Sequence, residues 1–176
     1  NLEIASTKEM IEIAAKFLPF SCCIVPEKRN EITTEGGLNL NKNFKKLRDN
    51  INYLKSFGIK TSLFIDPNVN DLDLVEIISP DAIEIHVGKY CDGINEEIKT
   101  FELNRIINTA NEAKKIGLEV HAGHGLNFQN IKSIASIMNI TELNIGHFII
   151  GESIFIGINE VIRKMKNEIE IARIKS

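Results

Sequence analysis

No run of about 18 apolar residues occurs in this 176-residue sequence, so nothing in it has the length to cross a bilayer as a helix. No basic-then-apolar stretch opens it either, and the expectation is a soluble, cytosolic protein. It lacks an excess of one charge: 21 Lys and Arg stand against 24 Asp and Glu, a net −3, and the basic residues are scattered. That excludes a sequence-independent grip on nucleic acid phosphates and favours a small-molecule partner. There is no linker rich in Gly, Ser or Pro, no low-complexity tract and no internal repeat, so a single domain over residues 1–176 is expected and a solenoid is excluded. Cysteine is scarce. The odd set Cys22, Cys23 and Cys91 reads as small buried thiols of a reducing compartment, with a metal or redox site as the alternative, since neighbours on a strand point to opposite faces and do not readily bridge.

What is present is the composition of a globular chain, 43% hydrophobic and 26% charged, which excludes a disordered, collagen-like or coiled-coil protein. Short β-rich apolar runs alternate with longer amphipathic stretches, the pattern of strand-helix units around a parallel sheet. Strands are predicted at Leu2–Ala5, Ser21–Val25, Thr61–Ile65, Ala82–Val87, Glu119–Ala122 and Glu142–Ile145. Ser6 and Glu9 suggest a capping box before a stripe of Met10, Ile13, Ala14 and Phe17. Further helices are predicted over Asn43–Phe57, Leu72–Ile78, Phe101–Ile116 and Asn127–Met138, with two more segments at Phe148–Phe155 and Ile158–Ile174. Long polar loops fill Pro26–Asn39 and Gly88–Lys99. Six units suit an open doubly wound sheet better than a closed barrel, which needs eight units and typically about 250 residues.

In either architecture ligands bind at the carboxyl ends of the strands, and polar residues collect there. Glu3 interrupts an apolar strand, where it is either half of an ion pair or a general base with a pKa raised by burial. Glu84 and His86 share one face by alternation, as a buried carboxylate-imidazole pair or with Glu84 as an electrostatic stabiliser. His121, His124 and His147 lie at the mouths of consecutive strands. With His86 and Glu84 they could serve a metal, but no His-x-His or His-Glu-x-x-His spacing strengthens that reading. Gly123, Gly125 and Gly146 precede helices whose amino ends favour anions, so they read as phosphate-binding turns or as ordinary turn glycines. The charged, hydroxyl-rich loop Glu27–Gly37 is long enough for a lid over the site.

Five runs then carry a resemblance. They are Val25-Pro26-Glu27-Lys28-Arg29 with Thr33-Thr34-Glu35-Gly36-Gly37, Ser62-Leu63-Phe64-Ile65-Asp66, Ile83-Glu84-Ile85-His86, Ala122-Gly123-His124-Gly125-Leu126 and Glu142-Leu143-Asn144-Ile145-Gly146-His147. In this order and spacing the chain resembles the pyridoxine 5′-phosphate synthase family of vitamin B6 synthesis. The resemblance implies a TIM (β/α)₈ barrel, of which this chain supplies about the last six βα units, and this overrides the open-sheet reading. It implies a cytoplasmic homo-octamer that needs no cofactor and no metal. The reaction joins 3-amino-2-oxopropyl phosphate and 1-deoxy-D-xylulose 5-phosphate, releasing inorganic phosphate and water. By the same resemblance Glu3 is a general acid/base, His124 a late proton donor and Glu84 a stabiliser of charged intermediates. Thr33 would contact the deoxyxylulose phosphate, and Gly125, Gly146 and His147 would hold the aminooxopropyl phosphate.

The chain departs from the family at Val87, usually Thr, and Phe128, usually Tyr. It also lacks the family's two amino-terminal units with an Asn-x-Asp-His motif and a His-x-Arg run. Because it opens on Asn1 rather than Met, the natural chain is expected to begin further upstream, and these residues alone are expected not to complete catalysis. A metal-dependent barrel hydrolase or lyase and a non-catalytic phosphate-ligand binding barrel are the rival readings.

Overall fold

The computed structural model describes residues 1–26 and 36–174. Six strands, β1 (Leu2–Ala5), β2 (Ser21–Val25), β3 (Lys60–Ile65), β4 (Ala82–His86), β5 (Glu119–Gly123) and β6 (Ile140–Asn144), form one parallel sheet. Their spatial order is the order of the chain. A doubly wound sheet reverses direction at a switch point and this one does not, so right-handed crossovers bring every helix to the same face. The architecture is therefore that of a partial (β/α) barrel, open between β1 and β6. Near that opening the Asn1 side-chain amide reaches the Glu142 carboxylate across 3.5 Å.

The helices are α1 (Lys8–Phe17), α2 (Leu40–Ser56), α3 (Leu72–Ile78), α4 (Gly88–Cys91), α5 (Glu96–Lys115), α6 (Ile131–Ala135), α7 (His147–Ile156) and α8 (Ile158–Ile174), with a 3₁₀ turn at Val69–Asp71. The alternation of side chains along each strand separates two environments. Ile4, Cys22, Ile24, Leu63, Ile65, Ile83, Ile85, Val120 and Ala122 join Leu47, Ile51 and Leu54 of α2 and Ile106 of α5 in the main core. Cys23, Val25 and Phe64 form a second, small apolar cluster on the other face. Cys22 and Cys23 thus sit on opposite sides of the sheet as free thiols, and Cys91 is free as well. The inner face is otherwise polar, carrying Glu3, Ser62, Glu84, His86, Glu119, His121 and Asn144.

Local chemistry moves several boundaries. The cap of α1 is Thr7, whose hydroxyl accepts from the Met10 amide at 3.2 Å, and not Ser6; the Ser6 hydroxyl instead accepts from Asn50 Nδ2 at 2.8 Å, tying β1 to α2. The buried residues of α1 are Ile11 and Ala14, and Phe17, placed on the stripe by periodicity, is exposed. Asn39 starts α2 three residues early by accepting from the Lys42 amide. Asn95 does the same for α5 through the Ile98 amide, so the expected loop Gly88–Lys99 also holds the short helix α4. The helix expected from Asn127 to Met138 shrinks to α6, because Asn127 and Asn130 bond each other's backbone and hold the first residues in a turn. β6 starts two residues and ends one residue earlier than predicted.

Replacing Thr7 by Ala is expected to lower unfolding free energy by about 1 kcal/mol, and Leu47→Ala by about 2–5 kcal/mol, both read by urea denaturation. An unchanged midpoint for Thr7→Ala would return the capping role to Ser6.

Candidate active site

Side chains from all six units meet at the carboxyl ends of the strands. A cavity of about 810 Å³ is lined by Glu3, Val25, Phe64 and Glu84 from the strands, His124 to Asn127 from the loop after β5, and Asn144 to Phe148 at the entry to α7. Glu3, Glu84, His124, Gly125, Gly146 and His147, all predicted from sequence, come together here. Thr33 and most of the expected lid lie outside the described residues.

Glu84 is the buried member, with 3% of its surface exposed. Burial pushes its carboxyl pKa up, and the negative charge of Glu3 adds to this, against hydrogen bonds from Asn144 and Cys23. Asn144 Nδ2 donates to Oε2 at 2.8 Å and the Cys23 thiol donates to the same oxygen at 3.5 Å. Gly123 makes the room: a Cβ there would stand 2.2 Å from Glu84 Oε1. Asn144 and Cys23 carried no role in the sequence reading. Their signal is alternation, since Asn144 lies two residues beyond Glu142 on the inner face and Cys23 is paired in register with Glu3.

Glu3 sits differently from its sequence reading. It is exposed among the described residues, where the sequence reading placed it inside an apolar strand. His121 is not part of the cavity. It is buried lower on the inner face, with Nε2 at 2.9 Å from Glu119 and Nδ1 at 3.6 Å from Glu142. Nor do Glu84 and His86 pair with each other: His86 Nδ1 lies 3.3 Å from Asp66 Oδ1. That hydrogen bond, helped by the Gly37 backbone amide, holds the Asp66 carboxyl below the usual carboxylate range. Among the described residues no three His, Cys, Asp or Glu side chains gather in a way that could hold a metal ion.

The loop after β5 is built to present backbone. His124 has φ +78° and Gly125 φ +83°, so two successive residues are left-handed. At Gly125 the conformation favours glycine, and a Cβ would also meet the Cys91 Cβ at 2.8 Å. Asn130 Nδ2 donates to the Gly125 carbonyl at 3.0 Å and locks the turn. Gly146 begins α7 without a side-chain cap, leaving first-turn amides of a ten-residue helix toward the cavity, where an anion is favoured. Phe128 packs edge-on against Phe148 at 4.8 Å, with Lys164 Nζ 4.2 Å over its ring. Val87 is wholly buried in the helix-side core, away from the cavity.

Because its pKa is raised, Glu84 keeps a proton in the native state over a pH interval where the unfolded chain has lost it, and stability falls as pH rises through that interval. Glu84→Gln, which can still accept from Asn144, is therefore expected to raise Tm clearly at pH 8 and to change it little at pH 4. An equal shift at both pH values would remove charge burial as the cause.

The family described as pyridoxal phosphate biosynthesis protein PdxJ matches residues 1–171. The chain is 51% identical over 168 residues to a pyridoxine 5′-phosphate synthase of Wolbachia pipientis subsp. Culex pipiens, covering 94% of this chain and 70% of that protein. It is 45% identical to the pyridoxine 5′-phosphate synthase of Zymomonas mobilis subsp. mobilis over 98% of this chain and 67% of that one. With the enzyme of that name from Prochlorococcus marinus subsp. pastoris it shares 48% over 97% and 71%. This chain thus spans about 70% of the length of these relatives. The crystal structure of the Amycolatopsis orientalis BexX/CysO complex shares the fold with a TM-score of 0.63 at 11% identity, over 93% of this chain and 60% of that one. By the extent of the match and the identity of its relatives, this chain belongs to the PdxJ family of pyridoxal phosphate biosynthesis proteins.

Proposed function

We propose that this protein acts as a pyridoxine 5′-phosphate synthase, condensing 3-amino-2-oxopropyl phosphate with 1-deoxy-D-xylulose 5-phosphate and releasing inorganic phosphate and water as the pyridine ring closes. One observation carries the reading: Glu3, Glu84, His124, Gly125, Gly146 and His147 border one cavity of about 810 Å³. The names of its relatives support it. The volume falls within the roughly 300–1,000 Å³ usual for small-molecule sites.

The chemistry asks for several proton transfers and places for two phosphates. Imine formation and dehydration need a group that takes and returns a proton, and Glu3 is a carboxylate on the border of the cavity. Cationic iminium intermediates need a counter-charge in a low-dielectric place. Glu84 answers this, ready to ionise beside a developing positive charge while Asn144 and Cys23 fix its oxygens. His124 stands at the mouth of β5 as the donor for the late step. The left-handed turn at Gly125 and the uncapped start of α7 with His147 support capture of the aminooxopropyl phosphate. For the deoxyxylulose phosphate the proposal retains Thr33.

The test is direct. The gene product, purified and given both substrates, is expected to form pyridoxine 5′-phosphate, followed by chromatography; none formed would overturn the reading. In that assay Glu3→Gln lowers kcat by at least about 10²-fold, the usual scale for a positioned acid or base. His124→Asn lets the first imine form and makes later intermediates accumulate. An unchanged rate without accumulation would strip His124 of the donor role.

A further inference from the structure

Behind His124 stands a row of groups that the mechanism above does not use. His86 is 1% exposed at the end of β4, and its ring is held on two sides. The Phe64 ring lies 5.1 Å away at 59°, and the His124 ring 4.8 Å away at 62°. Asp66, just past β3, meets the Nδ1 side at 3.3 Å, and Asp66 is itself held by the Gly37 amide. Since the carboxylate accepts, a hydrogen of His86 belongs on Nδ1, and in the neutral imidazole Nε2 then keeps a lone pair. Among the described residues that buried Nε2 has no hydrogen-bond partner. It lies near His124: the point a Cβ on Gly88 would occupy is 2.7 Å from His86 Nε2 and 3.0 Å from His124 Cδ2. The absence of a side chain at Gly88 is what lets the two rings approach.

We propose that Asp66 and His86 are positioning residues for His124, a carboxylate-imidazole-imidazole row along the ends of β3, β4 and β5 that orients the His124 ring and favours its protonated form. The inference rests on the reading of His124 as proton donor and deepens it. A donor must carry its proton when the late intermediate arrives, and the negative end of a fixed imidazole dipole, backed by a carboxylate, stabilises a neighbouring imidazolium. The fixed row also accounts for the backbone of His124, a non-glycine residue at φ +78°, a conformation that persists where the surroundings over-determine it. Other titratable groups act nearby. Glu3, Glu84 and His147 border the same cavity, the Cys91 thiol donates to the His124 carbonyl at 3.7 Å, and the charge of Lys89 bears on Asp66.

¹⁵N-histidine NMR of the protein tests this without relying on turnover. In the wild type, His86 is expected to be protonated at Nδ1 and bare at Nε2 near neutral pH; the opposite tautomer would overturn the proposal whatever the variants do. Asp66→Ala should mix the tautomers of His86 and lower the proton affinity of His124 by about threefold or more. Gly88→Ala provides a second arm, because it leaves the Asp66 bond in place and wedges a methyl between the rings; it should displace the His124 signals and lower the same affinity. A titration of His124 unmoved by either folded variant sinks the row as a positioning device. In turnover, Asp66→Ala should lower kcat with little change in either KM, and the alkaline limb of the kcat profile should move to lower pH. A protein that shows the tautomer and titration effects but forms no pyridoxine 5′-phosphate keeps the positioning row and loses the synthase reading alone.

Discussion

A carboxylate buried on the inner face of a parallel sheet is costly, and the site is organised around Glu84. Desolvation disfavours its charge, so the surrounding residues either supply hydrogen bonds or withdraw to make space. Asn144 and Cys23 donate to one oxygen, and Gly123 gives up a side chain so that the other can lie against its backbone. These three partners come from β6, β2 and β5, so one acidic group draws on most of the width of the sheet. Its instability is the property a site handling cationic intermediates can use, because charge that is poorly tolerated at rest is stabilised when an opposite charge arrives.

The sequential strand order makes this arrangement possible. With all helices on one face, the outward residues of the strands are mostly apolar and build a continuous core, while the inward ones are released from packing and can be polar. Inward positions divide by depth. Low on the face, Lys60 pairs with Glu119, His121 lies between Glu119 and Glu142, and Asn1 reaches Glu142 near the open edge. At the carboxyl ends the turns take over. There Asn127 and Asn130 hold the loop after β5 in a shape that exposes His124 and Gly125 to the cavity.

Much of this was legible in the sequence. The six strands follow from short apolar runs between capping and turn residues, and all six appear, because a strand buried between helices and an inner layer has a composition that few other elements share. The convergence of Glu3, Glu84, His124, Gly125, Gly146 and His147 was legible too, since Glu3 and Glu84 interrupt apolar strands, the other four follow strands closely, and the fold brings strand ends to one rim. Helix starts were less legible: Ser6 and Thr7 are both capable caps, and the choice depends on Asn50, 44 positions away, which occupies Ser6.

The sequence by itself determined which residues alternate, which strand ends carry acids, imidazoles and glycines, and that the units repeat as strand then helix; these depend on neighbours a few positions apart. Only the tertiary structure decided whether each polar group is buried and by whom it is met. Glu3 is exposed, His121 lies between Glu119 and Glu142 below the cavity, and His86 answers to Asp66 rather than to Glu84. Desolvation and hydrogen-bond partnership are set by atoms from distant strands, and no local pattern in the chain records them.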